Sequence, residues 1–358
     1  MRLFFRYLLA RSFSALMTLV IITAILYAVV MMSPVEARAQ IYIPSGANLD
    51  RLTNEQLQQY MQQIIERYGL NDPYPVQYTR WMANLLRGEW GYSPRLRGPV
   101  LDALLARTPA TLELTVYTLL LLIPLGLTMG ALAGWNRNRG PDYVFRASAF
   151  VAASIPSFVL ALVLLSVFYV GLHWFPPERL GYQASAVVNS AGFIQYTGFL
   201  TLDGLLNQRF DVSLDAARHL VLPVLTLGLV HWATLGRVVR SSMIDELHKE
   251  YIMAARSRGL SDRKLLWRHP FPNVIAPALA SSALSAAALV TGSFVVERIY
   301  NIHGVSEVVM SGLLNLPDAA AALGYTVYNV IVVLAVMLAL DILRALVDPR
   351  AREGWETR

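Results

Sequence analysis

Few side chains in this sequence have the types needed for covalent catalysis. Cysteine is absent from all 358 residues, which excludes disulfides, thiol catalysis and cysteine metal sites. His231 and Ser293 are the pair from which an intramembrane hydrolase would be built, because a serine nucleophile needs a base beside it. No motif surrounds either residue. The residues therefore favour a protein that is not an enzyme, with no catalytic residues and no metal site.

Nucleotide hydrolysis also lacks its usual motif. A phosphate-binding loop follows the pattern G-x-x-x-x-G-K-[ST], and neither Lys249 nor Lys264 follows a glycine. We therefore expect that this chain neither hydrolyses ATP nor binds a cofactor.

Ionisable groups deep inside apolar stretches would indicate an ion-driven carrier, because such groups are costly in a membrane and persist there mainly for function. Only His231 falls near the middle of such a stretch. It is a candidate for a transport path, although a lone histidine is more often a hydrogen-bonded packing residue. We expect Glu113 and Asp341 to lie near the ends of spans, where charge is solvated. We expect Glu297 and Arg298 to pair or to meet water.

The composition shows where these residues must be held. Hydrophobic residues make up 55% of the chain and charged residues 15%, and the mean hydropathy is +0.45, which is too apolar for a soluble domain of this size. A membrane span needs about 20 mostly apolar residues. The sequence predicts an all-α integral membrane protein with six transmembrane helices, at 12–32, 112–134, 147–172, 220–239, 276–296 and 323–346.

The first apolar stretch has an alternative interpretation as a secretory signal. Arg2, Arg6 and Arg11 accompany it, and Ala37-Arg-Ala39 is a weak cleavage pattern. Its apolar run exceeds the roughly 7 to 15 residues of a signal core, so we favour an uncleaved span.

Basic residues predict the orientation of the spans. Arg137, Arg139 and Arg146 lie in the short connection between the second and third spans, and the N-terminus is also basic. The positive-inside rule assigns both segments to the cytoplasm. Six spans then place both termini inside, together with the basic stretch 237–268. The net charge of +6 is explained by these loops rather than by nucleic-acid binding.

One further apolar segment, 184–202, competes as a seventh span. Asn189, Ser190, Gln195 and two glycines argue against it, and a crossing there would move the basic stretch outside. We predict an external loop.

The external segment after the first span contains a helix signal. Thr53-x-x-Gln56 resembles a capping box, apolar residues follow at helical spacing, and Gly69 can end the helix. The sequence predicts a short amphipathic helix here.

The stretch EYIMAARSRGLSDRKLLWRHPFPNVIAP, residues 250–277, combines charge, helix formers, a glycine and prolines. Helix-forming sequence runs from the fourth span to Gly259, so we expect one continuous helix that projects into the cytoplasm. Gly259 can adopt the left-handed conformation that ends a helix, and Ser261 or Asp262 can cap a second short helix. We expect this second helix to lie across the membrane face and to end near His269, because prolines follow.

The stretch also resembles a known family. The order Tyr-x-x-x-Ala-Arg-x-x-Gly-Leu, followed by His-x-x-x-Asn-x-x-x-Pro, is similar to the EAA loop of ABC-transporter inner-membrane permeases of the dipeptide/oligopeptide/nickel importer branch. Other segments resemble that branch in the same order: YGLNDPYPVQYTRWMANLLRGEWGYS, PVLDALLARTPATLEL, SIPSF, HLVLPVLTLG, RSSMIDEL and DPRAR. Departures occur at MSPVEA, at Pro270 and Pro272, at NLPDAAAALG, and in a long connection, 182–213.

In that family the loop is a coupling helix that docks into a groove of the ATPase subunit. The resemblance implies ATPase-coupling residues Ala254, Ala255, Gly259 and Leu260, polar contacts Arg256 and Arg258, and loop-motif residues Tyr251, His269, Asn273 and Pro277. ATP and Mg would be bound by the partner ATPases, and a rigid coupling helix would transmit their motion to the helix bundle.

The resemblance further implies partners and location. These are a second permease, expected to be a paralogue in a heterodimer, two ABC ATPase subunits and an extracytoplasmic solute-binding protein. The solute would be a peptide or similar small molecule, with metal complexes included, and the location a bacterial or archaeal cell membrane. The implied organisation is an N-terminal span at 1–33, an extracytoplasmic segment at 34–107, a type 1 importer permease domain at 108–348 and a cytoplasmic tail at 349–358. A self-sufficient secondary transporter or channel remains the alternative.

Overall fold

The computed structural model describes residues 2–43, 53–93, 96–313 and 318–347, and these are mostly helical. The tail predicted at 349–358 lies outside the described residues. The first helices are α1 (Arg2–Val30), α2 (Val35–Ala39), α3 (Asn54–Arg67), α4 (Tyr74–Leu86), α5 (Val100–Trp135), α6 (Gly140–Ser154) and α7 (Ser157–Leu164). The later helices are α8 (Tyr182–Val188), α9 (Leu200–Leu206), α10 (Phe210–Leu247), α11 (Glu250–Ser257), α12 (Asp262–Arg268), α13 (Pro270–Ile299), α14 (Ser306–Leu313) and α15 (Ala319–Val347).

Smaller elements complete the described chain. A 3₁₀ helix covers Gln40–Tyr42, and a π-helix, Leu165–Gly171, continues α7. The strands β1 (Tyr92–Ser93) and β2 (Gly98–Pro99) pair in antiparallel fashion.

Five helical stretches among the described residues are long and apolar enough to cross a membrane. They are Leu8–Val30, Val100–Trp135, Phe210–Leu247, Asp262–Ile299 and Ala320–Leu343. They cover five of the six predicted spans, because sustained apolar runs of this length are the most direct signal that a sequence carries.

The third predicted span, 147–172, is not one continuous helix. Gly140–Ser154 and Ser157–Gly171 are bent by 100° where they meet. Ile155 takes an extended conformation (φ −91°, ψ 120°), since Pro156 disfavours a helical conformation in the residue before it and has no N–H to donate. The bend is therefore built into the Ile-Pro pair.

The competing segment, 184–202, contains no helix of span length. It forms the end of α8, a connection and the start of α9, and both helices have seven residues. The prediction that this segment does not span the membrane is confirmed by the length of these helices.

The described chain divides into two compact units. Unit 1 comprises Met1–Arg11, Leu112–Ile302 and Val333–Arg358, and unit 2 comprises Ser12–Thr111 and His303–Val332.

In unit 1, α10 is the central helix and packs on α13, α6, α7 and α9. The part of α5 that belongs to this unit also approaches α10 closely, because Gly126, Gly130 and Gly134 lie one turn apart on it. A Cβ on Gly130 would lie 2.5 Å from the carbonyl oxygen of Gly236, and one on Gly134 would lie 2.7 Å from Met243. Small residues at this spacing allow the backbones of two membrane helices to pack tightly.

Two acids that we expected at solvated span ends are buried instead. Glu113 is 1% exposed, and its carboxylate lies 2.5 Å from Arg179 Nη2. Asp341 is 6% exposed and lies 2.5 Å from Arg11 Nε. An opposite charge compensates each burial. Each arginine is far from its acid in sequence, so the ion pairs could not be predicted from the positions of the acids in their spans.

A third buried acid joins α6 to α10. The carboxylate of Asp142 is fully buried and accepts two hydrogen bonds from the Arg240 guanidinium, at 2.5 and 2.8 Å, and one from the backbone N–H of Asn138. Paired bonds of this kind fix orientation as well as distance. The connection between α5 and α6 is therefore held against the last turns of α10.

In unit 2, the predicted amphipathic helix is α3. The capping box is formed, since the Thr53 side chain accepts from Gln56 N and the Gln56 side chain accepts from Thr53 N. Gly69 follows the helix with φ +57°, as its predicted role requires. The prediction of this helix is confirmed.

The core of unit 2 is rich in aromatic rings. Tyr27 stacks on Trp81 with ring centroids 4.9 Å apart and bonds to the hydroxyl of Tyr42 at 2.8 Å. Burial raises the pKa of the Tyr42 hydroxyl. A second apolar cluster of this unit consists of Val100, Leu104, Val305, Val308, Ala320, Ala321 and Tyr328.

Candidate functional site

The end of α10 and the start of α11 are separated by a break that the sequence did not predict. Lys249 is extended, with φ −77° and ψ 146°, so the helix expected to continue to Gly259 stops at Leu247 and starts again at Glu250. Continuous helix-forming sequence was a weak predictor here because tertiary contacts override propensity. The prediction of one continuous helix is wrong.

Glu246 holds this break together. Its carboxylate accepts hydrogen bonds from Lys249 Nζ at 2.5 Å, from the Tyr251 hydroxyl at 2.5 Å and from Asn273 Nδ2 at 3.3 Å. Asn273 Nδ2 also donates to the Tyr251 hydroxyl at 3.0 Å. Hydrogen bonds to a charged acceptor are stronger than neutral ones. One carboxylate thus connects the last turn of α10, the first turn of α11 and the first turn of α13.

Gly259 ends α11 as predicted. Its φ of +74° is in the left-handed region, and nothing lies within 4 Å of where a Cβ would be. The backbone conformation, rather than crowding, therefore requires glycine. Ser261 occupies the N-cap of α12 with extended backbone, and its hydroxyl makes no capping bond within this described loop.

The second short helix is α12, and it is followed directly by α13. α12 leads into α13 with only His269 between them, and Asp262–Ile299 forms a single stretch of span length. The predicted end near His269 is confirmed. Pro270 opens α13, where its missing N–H has no partner to lose, so the helix restarts at once. That α12 lies across the membrane face stays a prediction.

A buried apolar cluster packs α11 onto α12. Its core consists of Ile252, Ala255 and Leu265, with Trp135, Leu247 and Leu260 packed around it. Ala255 is 7% exposed. The inner face of α11 therefore binds to the chain's own helices, which fixes the position of the outer face.

The outer face of α11 is exposed and basic. Met253 is 61% exposed, and Ala254, Arg256, Ser257 and Arg258 are also exposed. Neither arginine forms an ion pair within the described part of the chain. A short, firmly packed helix thus presents free guanidinium groups beside small side chains.

The predicted site residues have separate positions. Tyr251 and Asn273 meet at Glu246, whereas His269 lies at the junction of α12 and α13 and Pro277 lies inside α13. Of the ATPase-coupling set, Ala254, Arg256, Arg258 and Gly259 are exposed, whereas Ala255 is buried and Leu260 half-buried.

Sequence reasoning missed Glu246. The available signal was an acid at the end of RSSMIDEL, in a segment otherwise rich in cations.

The remaining candidates lie on two different helices, α13 and α10. Ser293 donates to Glu297 Oε1 at 3.0 Å within α13, and Glu297 is fully buried while Arg298 is exposed. His231 is half-buried on α10. No group of three His, Cys, Asp or Glu side chains that could hold a metal ion occurs among the described residues.

The span-length helices and the short helices packed at the end of α10 define a multi-pass membrane protein. The sequence also matches known proteins. The chain belongs to the family described as binding-protein-dependent transport system inner membrane component, which matches residues 123–353; the N-terminal part of such membrane components matches residues 4–115.

Three relatives illustrate the match. The oligopeptide transport system permease protein AppB of Bacillus subtilis is 29% identical over 345 residues, which are 96% of this chain and 98% of the relative. The dipeptide transport system permease protein DppB of Alkalihalophilus pseudofirmus is 28% identical over 87% of this chain and 92% of the relative. The probable D,D-dipeptide transport system permease protein DdpB of Escherichia coli is 32% identical over 82% and 85%.

Proposed function

We propose that this chain is a permease subunit of an ATP-driven importer for peptides or similar small solutes. The observation that carries the proposal is the rigidly packed α11 with its exposed basic face, in a chain whose relatives are named as peptide permeases. A transmembrane subunit without a phosphate-binding loop needs such a contact to receive energy from a separate ATPase.

The proposed topology has six spans and cytoplasmic termini. The bent pair Gly140–Ser154 and Ser157–Gly171 counts as the third span, because its two parts pass the length and hydropathy test together. The even number keeps the basic N-terminus, the α5 to α6 connection and the α11 region on one side. Residues 34–107 then form an extracytoplasmic segment, and the permease domain covers 108–348.

In the proposed coupling, the outer face of α11 enters the groove of an ATPase. Ala254 and Gly259 permit close approach, and Arg256 and Arg258 supply polar contacts. Ala255 and Leu260 do not contact the ATPase in this proposal; they support α11, because they belong to the cluster that packs it on α12. Tyr251 and Asn273 act with Glu246 to connect α11 to α13. The contact residues and the supporting residues therefore differ.

The proposed assembly contains a second permease, two ATPases that bind ATP and Mg, and an extracytoplasmic solute-binding protein. It resides in a bacterial or archaeal cell membrane. The permease pair would form the translocation path between them. Movement of the docked helix would be transmitted as rigid-body rocking of the bundle.

A single cysteine at Arg258 tests topology and coupling together, since the chain has no other cysteine. Arg258→Cys should be labelled only from the cytoplasmic side of sealed vesicles and should cross-link to the co-expressed ATPase. Glu55→Cys, at an exposed position on α3 in the proposed extracytoplasmic segment, is the matched control and should be labelled only from outside. Outside labelling of Arg258→Cys would overturn the topology. Inside labelling without a cross-link would overturn the coupling.

The alternative is a secondary transporter or channel. Proteoliposomes that contain the assembled complex should transport solute only when ATP is present on the side of the membrane where the ATPases are bound. Uptake that persists when the ATPase is omitted would favour the alternative.

A further inference from the structure

The segment 181–208, here called the cap, connects the bent pair to α10 and contains α8 and α9. Ala184, Phe193 and Leu200 form its apolar core, and they pack with Leu180, Val212 and Ala216 from the flanking chain. Six apolar side chains of the cap are nevertheless exposed: Tyr182, Ile194, Tyr196, Leu202, Leu205 and Leu206. Tyr182 is 91% and Leu206 is 57% exposed. An apolar surface of this extent on a folded segment indicates an interaction site.

The cap has almost no charge. Asp203 is the single charged residue in 181–208, and it is fully buried. Its carboxylate accepts from Thr197 N at 2.8 Å, from Thr197 Oγ1 at 2.7 Å and from Gly198 N at 2.8 Å. The exposed surface of the cap therefore carries no charged side chain.

Other polar groups of the cap also bond inward. Asn207 Oδ1 accepts from Ile194 N at 3.0 Å, and Asn207 Nδ2 donates to Ile194 O at 2.8 Å. Thr201 donates through its N–H and its hydroxyl to Glu113 Oε1, at 2.9 and 2.7 Å. Polar groups in a low-dielectric environment must find hydrogen-bond partners within the protein, whereas polar groups in water can bond to the solvent. These bonds turn the apolar face of α9 outward.

The apolar surface continues into a membrane-spanning helix. Phe210 and Leu214, in the first turns of α10, are 68% and 74% exposed. Gly204 packs so closely on Ser213 that a Cβ would lie 2.3 Å from its hydroxyl oxygen, which fixes α9 beside these turns. α9 therefore lies beside these first turns, where Phe210 and Leu214 are exposed next to the Arg209–Asp211 ion pair, at the start of a helix of span length.

We propose that the cap is embedded in the lipid headgroup interface, with Leu202, Leu205 and Leu206 directed into the acyl-chain boundary. Exposed tyrosines prefer this depth because their rings are apolar and their hydroxyls are polar. Exposed amides at Gln183 and Gln195 keep the cap in the interface and out of the hydrocarbon centre. An uncharged surface fits neutral lipid better than the charged rim of a protein partner. The proposal depends on membrane insertion and not on the energy source.

Spin labels can test the depth of the cap. Leu206→Cys and Tyr196→Cys variants of the full chain, assembled with its partners in phosphatidylcholine nanodiscs, would be labelled and their collision rates with oxygen and with a nickel chelate compared. Glu55→Cys, on exposed α3, is the aqueous control. The ratio of oxygen to nickel collisions should be several-fold higher at both cap positions than at Glu55, because oxygen concentrates in lipid and nickel chelate in water.

Two outcomes would overturn the proposal. Frequent nickel collisions at the cap positions, as at Glu55, would show that the surface faces water. Infrequent collisions with both reagents would show that protein covers the surface, as a second permease or a binding protein would. Since two positions are labelled on different parts of the cap, a local distortion at one of them would not imitate either outcome.

Discussion

The two ends of α10 meet very different surroundings. Beyond its start lies the cap, whose one acid is buried and whose polar groups bond inward. Beyond its end lies the coupling region, 246–273, whose arginines and lysines are mostly exposed. One helix therefore connects a segment whose exposed surface is uncharged to a segment whose exposed surface is basic, and burial of charge, more than hydropathy, distinguishes the two.

Each end also depends on one glutamate, in opposite ways. Glu113 is buried and joins the cap to α5 through Thr201 and Arg179. Glu246 is half-buried, and its partners Lys249 and Tyr251 are exposed. Removal of a buried, charge-paired acid lowers stability more than removal of a solvated acid, because the charged partner is left without compensation. The two ends should therefore respond differently to similar substitutions.

The largest effect is expected at the cap. Glu113→Ala leaves the half-buried Arg179 without its partner and Thr201 without its acceptor, and should destabilise the protein by about 3–5 kcal/mol. Thermal unfolding followed by tryptophan fluorescence would measure the loss. The double variant Glu113→Ala/Arg179→Ala should recover part of it, because the isolated charge is gone. Equal stability of Glu113→Ala and the natural chain would show that the pair does not hold the cap.

The next largest effect concerns function at the coupling region. Gly259→Pro cannot take the observed φ of +74°, since proline is fixed near about −65°, so the turn between α11 and α12 should be lost. The protein should insert normally and lose ATP-dependent transport. Gly259→Ala, which costs about 1–2 kcal/mol for the left-handed conformation, should keep partial transport. Normal transport by the proline variant would count against coupling through this turn.

A smaller effect is expected at Glu246. Glu246→Ala removes three hydrogen bonds, all of them to exposed side chains, and should destabilise the loop by about 1–3 kcal/mol. The number of solutes transported per ATP should fall, while ATPase binding persists. Asp245→Ala, at the neighbouring exposed acid, is the matched control and should leave this ratio unchanged. An equal fall in both variants would indicate a general effect of charge.

Charge reversal on the outer face of α11 should act on binding alone. Arg256→Glu/Arg258→Glu should leave thermal stability nearly unchanged, because exposed side chains contribute little to folding. ATPase affinity should fall about tenfold or more, since like charges or unpaired charges at an interface are unfavourable. Co-purification yield would report it. Reversal of Arg263 and Lys264 on α12 is the control, and an identical loss there would mean that net charge, not α11, sets the affinity.

Sequence predicted best those features that depend on local chemistry. Apolar runs identified the spans, the capping box at Thr53 identified α3, and Gly259 identified a left-handed turn. The bend at Pro156 lay within reach of the same rules, because residues before proline avoid helical conformation. Local rules were sufficient wherever one or two neighbouring residues decide the backbone.

Features that depend on distant partners could not be predicted. The ion pair between Glu113 and Arg179 joins residues that are 66 apart in sequence, and Asn273 reaches Glu246 across 27. The break at Lys249 follows from such contacts, since propensity alone favours a continuous helix there. The position of Ala255 in a buried cluster was also hidden, because the apolar partners belong to other helices.

The smallest effect is expected at His231, which lies in α10 between the two contrasted ends. It is half-buried and, within the described chain, belongs to none of the networks that hold the cap or the coupling region. His231→Ala should therefore leave stability and ATP-dependent uptake almost unchanged. Uptake in proteoliposomes, with Trp232→Ala as a packing control, would measure this; Trp232 is buried against Phe145, so its removal should destabilise the protein by roughly 3–5 kcal/mol. Abolished uptake by a normally inserted, normally stable His231→Ala variant would instead place this histidine on the transport path. The middle of α10 would then be a third region, where a polar side chain contacts the solute.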